Sequence, residues 1–259
     1  MYRHEPVEED EMVRMACGRG IRCLALSALI VAAAACTGSN SGPSSANDDT
    51  PSATDAGNQA SAPPAAAFQQ VKGNILGGGD VHSYTATMPG TWTTDGGAFM
   101  VNLRPDVMGL SVWNVGRVPR DPCRWKNGLT SPGPTVDDLT TALTSQRLRD
   151  ASAPTPVTLG GYHGTYLEMS VPTDSVVTGD ADFEGCDDPG NGHSDFVSWF
   201  GVGGDSERYA RVAGQIERVW ILDVNGQRLV VDGIYSPDAM PRDIAQLEQV
   251  AASIHFDPT

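Results

Sequence analysis

From Phe68 onward, apolar residues come in short bursts broken by turn formers, the rhythm of strands more than of helices. HSYTATMP, from His82 to Pro89, runs into a Gly90-Thr91-Trp92 corner. AFMVNLR and GLSVWNV follow as two apolar runs set apart by Pro105 and Gly109. TPVTLGGYHGTYLEMSVP predicts a hairpin or consecutive pair bent at Gly160-Gly161 and Gly164, and DFVSWFG predicts one more short strand. The sharpest local signal is RVWILDVNGQRLVVDGIY. Asn225-Gly226 there separates two apolar runs, and a two-residue type I′ turn needs positive φ at both of its central positions. Val219 to Leu222 is continuously apolar, as a strand covered on both faces should be.

Two stretches carry helical periodicity instead. Thr135 can cap VDDLTTALTSQ, which has acidic residues in its first turn and Val136, Leu139 and Leu143 on one face. PRDIAQLEQVAASI opens on Pro241 and sets Ile244, Leu247, Val250 or Ala251, and Ile254 in an apolar stripe. Many strands, few helices, and a hairpin followed by a last helix predict an antiparallel sheet with helices packed on it, class α+β. This single domain is expected over 68–259, large enough to bury roughly 70% of its unfolded surface.

The pattern upstream is different. CLALSALIVAAAA, Cys23 to Ala35, is 13 uncharged residues. That is too short for a helix across ~30 Å of hydrocarbon and suited to the apolar core of a signal peptide. Arg14, Arg19 and Arg22 precede it, and small residues lead into Cys36. The segment resembles a bacterial lipoprotein signal, although Ala33 stands where that family prefers Leu. The resemblance implies cleavage between Ala35 and Cys36 and diacylglycerylation of the Cys36 thiol, giving a signal peptide over 1–35. The alternative is an ordinary secretory signal cut nearby. Because MYRHEPVEEDE is acidic where a signal wants positive charge, translation is expected to start at Met12 or Met15. Thr37 to Ala67 has no aliphatic residue larger than alanine, so 36–67 is expected to be a lipidated cysteine followed by a disordered tether.

YTATMPGTW, the late hairpin and the terminal amphipathic helix ending in SIHF resemble the PsbP-like fold. In high-GC Gram-positive bacteria that fold occurs in LpqN-type cell-envelope lipoproteins. The resemblance lies in core signatures at the two ends of the domain and implies architecture only. The middle, with WNVGRVPRDPCRWK and DFEGCDDPGNGHSDFVSWFG, resembles uncharacterised secreted proteins of the same bacteria and brings no activity with it.

Charge and cysteine narrow the function classes. The chain has 32 acidic and 17 basic residues, and the domain alone has 24 and 13. With no Lys/Arg block to override that balance, nucleic acid is excluded as an expected partner. The five cysteines form no CxxC pair and no zinc-spaced cluster. With the signal removed and Cys36 acylated, Cys123 and Cys186 remain in an oxidising compartment, where a disulfide is expected. The functional alternative is a redox or nucleophilic thiol, which would need a base and an orienting group that the local sequence does not supply.

GDADFEGCDDPGNGH places five carboxylates in nine residues. Asp180, Asp182, Glu184 and Asp188 form a calcium candidate by spacing, against Glu at the fifth loop position and Asn191 at the twelfth. The other reading is a solvated acidic loop. His163 and His193 are candidates for a nonlocal hydrolase site, but no GxSxG elbow accompanies them. Gly204-Asp205-Ser206 reads as a surface turn. No GxGxxG, P-loop or HExxH calls for a cofactor, and Gly77-Gly78-Gly79 reads as a flexible entry to the first strand. Exposed aromatic and basic residues in RVPRDPCRWK could form a recognition surface. Three functions stay open: an extracytoplasmic, lipid-anchored domain that binds an envelope protein or small ligand, a secreted hydrolase, and a calcium-dependent adhesion module. The first is preferred.

Overall fold

The computed structural model describes residues 67–95, 99–102, 107–179 and 181–257. The expected signal segment, Cys36 and the tether through residue 66 lie outside the described residues, as does Asp180. The strands in chain order are β1 (Phe68–Asn74), β2 (Ser83–Pro89), β3 (Thr93–Asp95), β4 (Phe99–Asn102), β5 (Met108–Trp113), β6 (Val115–Pro119) and β7 (Leu129–Thr130). Helix α1 (Val136–Thr144) follows. Then come β8 (Asp150–Ala151), β9 (Thr155–Leu159), β10 (Tyr162–Ser170), β11 (Val177–Thr178) and β12 (Asp182–Phe183). The remainder is β13 (Val197–Gly201), β14 (Glu207–Tyr209), β15 (Ile216–Val224), β16 (Gln227–Tyr235), α2 (Pro241–Ala252) and β17 (His255–Phe256).

The main sheet runs β3-β4-β5-β16-β15-β10-β8, with β9 also paired to β10. A sheet ordered β1-β2-β17, another ordered β14-β13-β6-β7, and the pair β11-β12 complete the domain. The named strand pairings are antiparallel throughout. The described residues thus form a mainly β architecture with two short helices, less helical than the α+β expectation.

The β15–β16 hairpin forms as its sequence predicts. Val224 pairs with Gln227, and the two turn residues have φ of +55° at Asn225 and +86° at Gly226. The Asp223 carboxylate accepts the Gly226 N–H at 2.7 Å and closes the turn. The bend at Gly160-Gly161 joins β9 to β10 with Leu159 opposite Tyr162. Strand β1 was not anticipated, and neither were the shorter strands β3, β6, β7, β8, β11, β12, β14 and β17. FQQVKGN forms β1, an edge strand on β2 whose side chains are mostly exposed, so the Gly77-Gly78-Gly79 run lies between two strands instead of ahead of the first.

The two helices cover opposite faces of the main sheet. Register puts Trp220, Leu222, Leu229, Val231, Leu110 and Val112 on one side, where Leu247, Val250 and Ala251 of α2 and Tyr84, Ala86 and Met88 of β2 pack on them. Gly233 makes room here: a Cβ would meet Trp220 and Leu247 at 3.3 Å. The other side carries Leu167, Val219, Ile221, Val230 and Trp113, against Leu139 and Leu143 of α1 and Trp199 of β13. Helix α1 starts in a capping box, the Thr135 hydroxyl accepting Asp138 N–H at 3.1 Å and the Asp138 carboxylate accepting Thr135 N–H at 3.0 Å. Helix α2 has no side-chain cap and begins on Pro241.

Candidate functional site

Cys123 and Cys186 are joined in a disulfide with Cα atoms 4.4 Å apart, against a small cluster of Val171, Phe183, Phe196 and Ala210. Trp125 is a buried strut here and not part of a recognition surface. Its indole N–H is shared between the carbonyls of Asp187 (3.2 Å) and Asp195 (3.1 Å), tying both ends of the acidic loop together.

Backbone N–H groups occupy most of the acidic loop's carboxylates. Asp182 Oδ1 accepts Ser194 N–H at 2.8 Å, and Asp187 Oδ2 accepts Lys126 N–H at 2.8 Å. Asp188 accepts from Gly190, Asn191 and Gly192, bonds that hold its carboxyl below the usual range. Glu184 lies exposed. Among the described residues no three His, Cys, Asp or Glu side chains converge as a metal cage would require.

The histidine candidates are not assembled into a catalytic group. His163 Nδ1 lies 3.0 Å from Thr158 Oγ1 on the exposed face of the β9–β10 pair. His193 is positioned through its main chain, its N–H donating to Asn191 Oδ1. Among the described residues neither ring bonds a serine or a carboxylate. Gly204-Asp205-Ser206 is the turn between β13 and β14, closed by Gly201 N–H to Ser206 O at 2.9 Å.

The sequence reading missed a buried ionic network on the α1 side of the main sheet. Arg149 Nη2 donates to Glu217 Oε2 (2.5 Å) and to Ser198 Oγ (2.5 Å), with the Arg149 and Glu217 side chains fully buried. Arg208 Nη2 lies 3.4 Å from Glu217 Oε1, while its Nε donates to Asp232 Oδ2. Gln215 Nε2 and Ser198 Oγ also donate to Glu217 Oε1, at 3.2 and 3.0 Å. Two cations and two anions thus cancel in the interior. Burial alone would raise Glu217, but Arg149 and Arg208 outweigh it and hold its carboxyl below the usual range. Burial wins at Asp232, whose Oδ1 has no partner among the described residues, and pushes its carboxyl up to about 6. Sealed from solvent, the network fastens β13, β14 and the turn after α1 to the sheet. A sequence signal did exist: Asp232 interrupts the apolar run Leu229–Tyr235, and Glu217, which pairs with Ile234, lies diagonally from it on the same covered face.

The accessible feature closest to a ligand site is a shallow hollow of about 420 Å³ between β9, β10, β15 and α2. Val157, Leu159 and the Tyr166–Trp220 ring pair, centroids 5.4 Å apart, form its apolar wall. Arg218 crosses the rim, with Nε 3.3 Å from Glu168 Oε2 and Nη1 bonded to Glu248. Burial pushes the Tyr166 hydroxyl up to about 12, so it stays neutral near pH 7. Ala251 and Ala252 of α2 leave the space open where longer side chains would fill it.

No protein-family profile and no curated protein sequence matches the chain. Among solved structures it is similar to the solution structure of cyanobacterial PsbP (CyanoP) from Synechocystis sp. PCC 6803. The identity is 12% and the TM-score 0.33, over 76% of this chain and 96% of that one. At that level the similarity bears on neither activity nor ligand.

Proposed function

We propose that this chain is an extracytoplasmic lipoprotein, held to the membrane through acylated Cys36 and a disordered tether. Its 68–259 domain is a non-catalytic module of the α+β, PsbP-like class that binds an envelope partner or small ligand. The sequence from Arg14 to Cys36 supports the anchor, and the Cys123–Cys186 disulfide fits an oxidising compartment. The observation that carries the binding role is the hollow beside Tyr166 and Trp220. Apolar walls with a few placed polar groups are the usual make-up of a ligand site. The charged groups of the buried ionic network, and Asp182, Asp187 and Asp188 of the acidic loop, bond groups of the fold itself. Among the described residues no contact favours the hydrolase or the calcium-dependent adhesion alternative over this reading.

The test uses intact cells. The parent chain takes up labelled palmitate, and Cys36→Ala does not. A photo-crosslinker placed at exposed Ala252 captures one defined envelope species, and Tyr166→Ala in that same crosslinking chain abolishes capture. A chain that stays unlabelled, fractionates with cytosol and captures nothing at position 252 refutes the proposal.

A further inference from the structure

The turn leaving β6 and the turn leaving α1 meet at one point on the surface. Arg147 N–H donates to Arg120 O at 2.8 Å, and Arg120 N–H donates to Gly128 O at 3.2 Å. Beneath them, buried Gln146 Nε2 donates to Pro119 O at 3.0 Å and Ser198 O at 2.8 Å. The main chains of both arginines are therefore fixed while both side chains are exposed. They flank a hollow of about 350 Å³ whose remaining lining is Pro119, Thr130, Ala142 and Ser145. Among the described residues neither guanidinium has a carboxylate within ion-pair distance.

The chain as a whole carries a net charge of -15. Three other hollows among the described residues each carry acid: Asp137 and Asp223, Asp80, or Glu248. Two cations held side by side repel each other unless an anion lies between them. The Thr130 hydroxyl donates to Val118 O (3.0 Å) and that of Ser145 to Ala142 O (2.9 Å), so the guanidinium groups alone offer donors to a ligand. A second feature adjoins the hollow. Leu148, next to Arg147, has φ of +58° and is 53% exposed. The left-handed conformation is unfavourable for such a residue, and its exposed side chain recovers none of that cost by burial.

We propose that the Arg120/Arg147 hollow binds a tetrahedral oxyanion: a phosphate, free in solution or carried on a lipid headgroup. Two planar forks of N–H donors suit phosphate oxygens, and the fixed turns hold both arginine main chains at the hollow, so that a ligand has only the side chains to order. The site is distinct from the hollow beside Trp220, and the free-phosphate arm of its test does not depend on acylation of Cys36.

The test takes the full chain carrying Cys36→Ala, so that no acyl group contributes, in three forms: otherwise unchanged, with Arg120→Gln plus Arg147→Gln, and with Arg242→Gln. Arg242 is 74% exposed at the start of α2 and serves as a control for loss of surface charge. Inorganic phosphate is titrated calorimetrically. Vesicles of phosphatidylglycerol in phosphatidylcholine are compared with phosphatidylcholine alone by flotation. A saturable phosphate heat weakened roughly tenfold or more in the double variant, but not in the control, supports the site with a free ligand. Silence with phosphate, together with anionic-vesicle binding lost only in the double variant, supports it with a lipid ligand. If wild-type arginines give binding in neither arm, or if the double variant and Arg242→Gln behave alike, the proposal is overturned.

Discussion

The two faces of the main sheet solve the same burial problem with different chemistry. The face under α2 is apolar through most of its depth, from Leu110 and Val112 to Leu222 and Val231, and Leu247 plugs its centre. The face under α1 begins the same way with Val219, Ile221 and Val230, then changes to Arg149, Arg208, Glu217 and Asp232 at one end. Apolar packing is forgiving, because each contact is weak and neighbours relax into a gap. A buried ionic network is not: removing the group on which its charges depend leaves them stranded. The two halves of the core should therefore fail in different ways, although both are equally dry.

The largest difference is expected at Glu217, which serves both arginines. Glu217→Ala strands Arg149 and Arg208 in the interior and should cost about 4 kcal/mol in urea unfolding. A loss below about 1 kcal/mol would show that solvent reaches the network. On the other face, Leu247→Ala removes a fully buried side chain and should cost about 3 kcal/mol, with two-state unfolding retained. If the leucine change proved the costlier by far, the proposed contrast between the faces would be lost.

A finer probe is the pH dependence contributed by Asp232. Its carboxyl is raised by burial from its ordinary value of 3.8 to about 6, so the native state binds the extra proton between those values. This group's contribution to stability is then fully present below pH 4 and declines as pH rises through 6. Asp232→Asn should match the parent near pH 4 and gain on it toward pH 7. A variant that loses ground over that interval would place the proton elsewhere in the quartet.

Legibility followed the same division. The β15–β16 hairpin, the α1 cap and the α2 stripe could be read because each rests on residues close in sequence: Asn225-Gly226, Thr135 with Asp138, and Leu247 with Val250. The Cys123–Cys186 bond could be read because the expected loss of the signal segment, with Cys17 and Cys23, and the expected acylation of Cys36 leave no other pair. Strand β1 was missed because an edge strand with solvent on its outer side needs no apolar alternation, and FQQVKGN has little. The ionic network was missed because Arg149, Ser198, Arg208, Glu217 and Asp232 come from five separate segments, and only register brings them together. Trp125 could be read as exposed or buried from its polar neighbours, and the two carbonyls that take its N–H decide for burial.

The small sheet has a consequence of its own. Strands β1 and β17 flank β2, Phe68 standing opposite Pro89 and Phe256 opposite Tyr84. Five steps along β2 separate those two positions, roughly 17 Å, and the two strand spacings from β17 to β1 add about 10 Å sideways. A circularly permuted polypeptide, bridged from Asp257 back to Ala67 by a short glycine-serine splice and opened at Asn225-Gly226, would retain every sheet partner. The order in which synthesis delivers the segments is thus separable from the architecture they reach.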